Sequence, residues 1–178
     1  MDKIKTIDSR WIVGIIIVLA MSRLIPHPPN FTPLSTMAIL AGCLFCQLRM
    51  GLVIPFCAMF VSDLLIGLHS SMIYVYSALL IISLTCHWLV TTVSIRNLSI
   101  SVVWATLVFF LITNFGAWIS HDMYPTNWAG LGMAYIAGLP FLLNSLLGNI
   151  FFMLVTILTV RKISTLNENE AANSNPIS

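Results

Sequence analysis

The chain has 178 residues, of which only 14 are Lys, Arg, Asp or Glu, about 8%, against roughly 25% in an ordinary soluble domain. Nine of the 14 lie in the tails (Asp2, Lys3, Lys5, Asp8, Arg10, Arg161, Lys162, Glu168 and Glu170), leaving Arg23, Arg49, Asp63, Arg96 and Asp122 between Trp11 and Val160. With 58% apolar residues and a mean hydropathy of +0.96, this excludes a soluble enzyme, a nucleic-acid binder and a disordered chain, and makes lipid the solvent for most of the protein.

A bilayer core about 30 Å thick takes about 20 apolar residues as helix, somewhat fewer where flanking residues help. Six segments qualify: Trp11–Ile25, Pro33–Leu48, Leu52–Leu68, Met72–Val93, Leu98–Ile119 and Leu139–Val160. Their continuous apolar runs favour helices over the alternating strands of a membrane barrel, so the expected fold is an all-α integral membrane protein. Pro26, Pro28, Pro29 and Pro33 end the first helix and start the second. Polar turns at Gln47–Gly51, His69–Ser71 and Arg96–Asn97 part the next four, and His121–Asn127 follows the fifth. Trp128–Gly138 is apolar but glycine-rich and reads as a separate short helix against the bundle.

Charge fixes the orientation. With the N-terminus cytoplasmic, Lys3, Lys5, Arg10, Arg49, Arg96, Arg161 and Lys162 fall inside and only Arg23 outside, an asymmetry that an odd number of spans would destroy. The organisation expected is a cytoplasmic segment at 1–10, six transmembrane helices over 11–162, and a polar, disordered cytoplasmic tail at 163–178. The N-terminal stretch also has features of a signal peptide, with Val18 and Ala20 as small residues before a cleavage point; Asp2 and Asp8 argue for a retained helix. Cys43, Cys46, Cys57 and Cys86 fall in the inner half. The Cys43-x-x-Cys46 spacing lacks a second pair and reads as small buried apolar side chains.

Ionisable groups inside a membrane are costly and default to functional candidates. The topology puts Arg23, Asp63, Asn114 and Asn144 in the outer part of their helices. The outer loops add His27, Asn30, His69, His121, Asp122, Tyr124 and Asn127, and His87 alone of the histidines lies inward. This one-sidedness predicts a polar pocket opening outward, roofed by His27–Thr32 and His69–Ser71. Phe31, Tyr74, Tyr76, Trp118, Tyr124, Trp128 and Tyr135 are aromatic groups at its level. The candidate ligand-binding residues are Arg23, His27, Asn30, Asp63, His69, Tyr76, Asn114, Trp118 and Asn144, with no catalytic or metal-ligand set. Arg23 and Asp63 would supply charge complementarity, and a planar ligand would stack on Tyr76 or Trp118. Each has a plainer role open to it: lipid snorkelling for Arg23, a structural ion pair for Arg23 with Asp63, and interhelical hydrogen bonds for the asparagines.

The run Arg23-Leu-Ile-Pro-His-Pro-Pro-Asn-Phe-Thr-Pro33 resembles a family of small bacterial membrane proteins of unassigned function. The likeness continues at Ser62-Asp63 to Gly67-Leu-His69, Thr113-Asn114-Phe115-Gly116-Ala-Trp118, Tyr124-Pro125, Gly130-Leu131, Leu139-Pro140-Phe141 and Asn144 to Gly148. The chain is also similar in size, helix number and expected topology to the S-components of energy-coupling-factor (ECF) vitamin transporters, nearest the solitary cobalamin type of Gram-negative bacteria. That resemblance implies a multi-pass protein of the bacterial inner membrane that captures a vitamin from the periplasm. It implies His27, Asp63, Tyr76 and Asn144 as ligand-facing residues. It also implies an ECF-type coupling subunit and ATPases as partners, beside a small-molecule substrate and the lipid bilayer. Two features differ from the cobalamin type: His69–Tyr76 contains Ser71 and no cysteine, and Gly14 stands alone on the first helix.

The function expected is therefore vitamin-like solute binding and uptake, without enzymatic activity and without a resident cofactor. The chain carries no phosphate-binding G-x-x-x-x-G-K-[ST] loop, so an ATP-driven step would need a partner. One alternative is a transition-metal (Co, Ni or Cu) carrier using His27, His69, His121 and Asp122 with Met72 and Met123. Another is a non-transporting membrane scaffold or assembly protein.

Overall fold

The structure is a computed structural model and describes residues 8–45, 47–90, 92–120 and 123–174, with side chains to 167. Six α-helices follow one another: α1 (Ser9–Ser22), α2 (Leu34–Leu44), α3 (Leu48–Ile66), α4 (Met72–Leu89), α5 (Ile95–Ser120) and α6 (Trp128–Ser174). All described regular structure is helical, as the continuous apolar runs require.

Among the described residues α3, α4, α5 and α6 are long and apolar enough to cross a membrane by themselves, and α1 and α2 are shorter than the spans expected for them. At 1.5 Å per residue α1 is about 21 Å long and α2 about 16 Å, both short of a bilayer core. α2 is shorter than expected because the chain leaves helical geometry at Phe45 (φ −81°, ψ 123°). It tolerates this by position. α2 packs against α1, α3, α4, α5 and α6, and Leu34 to Gly42 are all buried. Its ends meet protein rather than lipid, where irregular backbone finds partners. From α4, Ser83 Oγ donates to the Ala38 carbonyl at 3.2 Å and His87 Nδ1 lies 3.2 Å from the Gly42 carbonyl. His87 thus gives a carbonyl in the last turn of α2 a partner. A Cβ at Gly42 would sit 2.9 Å from Cys86 Cβ and overlap the Ser83 carbonyl, so glycine is what lets α2 and α4 touch.

α6 departs most from expectation. Trp128–Gly138 is not a separate helix but the first three turns of a 47-residue helix. The glycines and Pro140 suggested a break, yet apolar surroundings leave backbone groups no alternative partner to one another, so such residues stay helical in lipid-facing segments. The tail from residue 163, expected to be unstructured, continues α6 as far as Ser174. Extending an existing helix avoids the nucleation step that disfavours an isolated one.

The segment between α1 and α2 forms a strap. The Phe31 N–H donates to the Pro28 carbonyl at 3.0 Å, and Asn30 adopts φ 61°. Pro at the second and Asn at the third position are the residues such a turn demands. Beyond it, Phe31 packs on Phe151 and Phe152 of α6, centroids 5.7 and 5.8 Å away. A Cβ at Gly148 would lie 3.1 Å from Phe31 Cα, so the glycine seats the strap on α6. Asn144 Nδ2 donates to the Pro29 carbonyl at 3.0 Å.

Candidate functional site

The strap, the 67–71 loop and the start of α6 gather at one end of the bundle. They surround a cavity of about 460 Å³. Arg23 enters its wall from the end of α1, Asn30 and Thr32 from the strap, His69 and Ser71 from the 67–71 loop. α5 contributes Phe109, Thr113, Asn114 and Ala117, and α6 contributes Ala134, Ala137, Gly138 and Phe141. Leu34, Val75, Met123 and Tyr124 complete it. The wall is thus apolar alanine, leucine and phenylalanine interrupted by a few polar heads, the usual make-up of an organic-ligand site.

Arg23 caps the C-terminus of α1, where its backbone N–H donates to the Ala20 carbonyl at 3.3 Å and its charge suits the helix dipole. Its guanidinium bonds to Ser62 Oγ, and Nη2 lies 2.6 Å from Asp63 Oδ1. The second Asp63 oxygen accepts from Tyr76 Oη at 2.8 Å. Asp63 sits in the last turn of α3, where the helix dipole opposes a carboxylate, so Arg23 and Tyr76 are what hold it. The two side chains are 9% and 1% exposed. Oδ1 has the ionic contact but no well-angled hydrogen bond. Three helices, α1, α3 and α4, are joined by this one network. The helix then ends at Gly67 (φ 117°), whose N–H returns to the Asp63 carbonyl at 2.8 Å.

Of the nine residues named from sequence, the cavity wall contains Arg23, Asn30, His69 and Asn114. Asp63 stands behind Arg23 rather than in the wall. His27 is exposed, with Nδ1 2.7 Å from the Ile25 carbonyl. Tyr76 is committed to Asp63 and meets Phe56 edge-on at 5.7 Å. Trp118 donates to the Pro125 carbonyl at 2.9 Å, and Asn144 ties down the strap. Neither Tyr76 nor Trp118 offers the cavity a stacking face; Phe109, Tyr124 and Phe141 are the aromatic groups that line it. Asn114 itself donates to the Phe110 carbonyl one turn back at 2.8 Å. It presses so closely on Gly138 that a Cβ there would overlap its side chain. His121 and Asp122, two of the proposed metal ligands, lie outside the described residues, as does Cys46. Among the described residues no three His, Cys, Asp or Glu side chains converge to hold a metal.

Sequence reasoning passed over Thr32, Thr113 and a buried cluster further along the bundle. Asn149, 1% exposed, bridges three helices. Its Nδ2 donates to Thr106 Oγ1 at 3.0 Å, and Thr36 Oγ1 donates to its Oδ1 at 3.3 Å. Helical spacing carried little signal: Thr106 lies one turn before the wall residue Phe109, but Asn149 lies five residues after Asn144 and so off its face.

These features define a helical protein with four helices apolar enough to cross a membrane and, at one end, a cavity whose apolar wall carries a few polar groups. The chain belongs to the family of unknown function DUF6580, whose model matches residues 5–167. No curated protein and no solved structure matches it.

Proposed function

We propose that the protein is a bacterial inner-membrane binding and uptake protein for a small, vitamin-like organic solute, with its cavity facing the periplasm. The observation that carries this reading is the cavity itself: about 460 Å³ of space between apolar helices, with polar heads from the end of α1, the strap, the 67–71 loop and α5 in its wall. The membrane-embedded part of a purely structural bundle would fill such a space with side chains. The basic residues support the orientation. Arg10, Arg49, Arg96, Arg161 and Lys162 sit away from the cavity, and Arg23 alone sits at it, so the positive-inside rule turns the cavity outward and both termini inward. α1 and α2 then complete six passes with the strap continuing the path of α2.

The S-component resemblance fits this arrangement and makes a coupling subunit with ATPases the partner of choice. The cavity lies in the lower half of the range for drug-sized ligands, about 300–1,000 Å³, which favours a vitamin of modest size over a corrinoid. The transition-metal alternative has no comparable support, because His27 is turned to its own loop and only His69 of the described histidines lines the cavity.

Thermal unfolding of the purified protein against a panel of vitamins tests the reading. One vitamin is expected to raise the midpoint in a concentration-dependent way while the others leave it unmoved, because a ligand of the native state stabilises it. Unmoved midpoints across the panel, together with unchanged uptake in Arg23→Ala cells, would sink it.

A further inference from the structure

The geometry points to the chemical class of the solute. We infer that the ligand carries an anionic group, a carboxylate in the first instance, received by Arg23, while Asp63 positions Arg23 without meeting the ligand. This rests on the uptake reading above and goes beyond it by naming what the site selects.

The argument is the asymmetry of the ion pair. Arg23 lines the cavity and Asp63 does not. Asp63 is 1% exposed, with one oxygen turned to the guanidinium at 2.6 Å and the other taken by Tyr76 at 2.8 Å. A guanidinium has five N–H donors. Ser62 and Asp63 engage Nη1 and Nη2 from the α3 side, leaving donors for a further partner. From within the cavity the pair is therefore a fixed dipole with its cationic end foremost. Of the other polar groups of the wall, Thr113 Oγ1 is spent on the Phe109 carbonyl at 2.7 Å and Ser71 Oγ pairs with His69 Nδ1 at 2.9 Å. The amides of Asn30 and Asn114 and the hydroxyls of Thr32 and Tyr124 are groups that can donate, and no carboxylate lines the cavity among the described residues. A planar carboxylate matches the guanidinium fork, and charge-assisted bonds of this kind are about twice as strong as neutral ones. A cationic solute would meet Arg23 head-on, with the compensating carboxylate one layer too deep to help. Asp63 has a separate task. It offsets the cost of an arginine buried among apolar helices and fixes the direction of its fork.

The test uses pairs of probes that differ in charge and little else: nicotinate with nicotinamide, biotin with biotinamide, pantothenate with panthenol. Cationic thiamine and neutral riboflavin are run beside them. Equilibrium binding is measured on the whole protein in nanodiscs. At least one acid is expected to bind about tenfold or more tightly than its neutral partner, a difference of about 1.4 kcal/mol. The double variant Arg23→Gln/Asp63→Asn removes both charges together and keeps groups that hydrogen-bond, so no lone charge is left buried. It is expected to fold and to lose the preference for the acid. Asp63→Asn alone is expected to lower the unfolding midpoint yet keep that preference, which a purely structural ion pair would not link to Arg23. A neutral partner that binds as well as its acid, a preference that survives in the double variant, or binding of thiamine or riboflavin with no acid bound would overturn this inference and leave the uptake reading standing. No binding by any of the eight compounds would overturn both.

Discussion

Two groups of polar side chains lie among the apolar helices, about two helical turns apart along α5 from Thr106 to Asn114, and they differ in what satisfies them. Thr36, Thr106 and Asn149 are each at most 2% exposed and hydrogen-bond one another across α2, α5 and α6. Arg23, Asn30, His69 and Asn114 stand around a cavity of about 460 Å³. The first cluster is closed: its groups find partners in each other, as interhelical polar contacts in membranes do. The second is held from behind by Ser62, Asp63 and Tyr76 and still presents donors to empty space. A polar residue in a membrane therefore tells little about function by its presence. What separates adhesive from binding site is whether its donors are used up by the protein.

Substitutions can break that contrast. The largest effect is expected from Asp63→Ala, which leaves the Arg23 charge buried without a partner and costs about 3–5 kcal/mol. Unfolding of the purified protein in detergent measures it. Arg23→Gln/Asp63→Asn is expected to lose far less, because both charges leave together. Next comes Gly138→Val, whose branched side chain would drive into Asn114; about 1–3 kcal/mol of overpacking is expected, with ligand binding falling at least about tenfold as the cavity wall shifts. Asn149→Ala and Asn114→Ala then sharpen the comparison in opposite senses. Loss of Asn149 is expected to cost about 1 kcal/mol, in the range for interhelical hydrogen bonds in a membrane, while binding stays within about twofold. Loss of Asn114, whose amide bonds only within its own helix, is expected to spare stability and weaken binding. The smallest effect belongs to His27→Ala. His27 is exposed and outside the cavity wall, so binding and unfolding are both expected to stay as they are.

Much of this architecture was legible in the sequence, and the exceptions have physical causes. Each of the six apolar runs falls largely within one helix, and the Met72 start of the fourth follows from the His69–Ser71 turn. The strap was legible from its prolines, because Pro28-Pro29-Asn30 specifies a turn locally. α6 was misread because Pro140 and the glycines before it are helix breakers in water but not where the backbone has no solvent to turn to. α2 was overestimated in length because a helix buried on every side leaves no periodicity to mark its end.

The site was legible by level and not by direction. Depth along each helix follows from the 1.5 Å rise, and that brought Arg23, Asp63, Asn114 and Asn144 to one end. Which of them faces the cavity depends on how helices distant in sequence rotate against one another. Close contacts such as Asn114 with Gly138, and Phe31 with Gly148, set that rotation. Sequence spacing alone gives no such information, so Asp63 and Asn144 were grouped with Arg23 and Asn114, and Asn149 was passed over.

Native mass spectrometry of the protein, gently extracted from its host membrane, tests the central claim most directly. The wild type is expected to carry a retained small molecule that is released on activation, and Gly138→Val, purified the same way, is expected to be bare. Wild-type protein without a bound molecule, or the same molecule retained equally by Gly138→Val, would contradict the assignment of this cavity as the binding site.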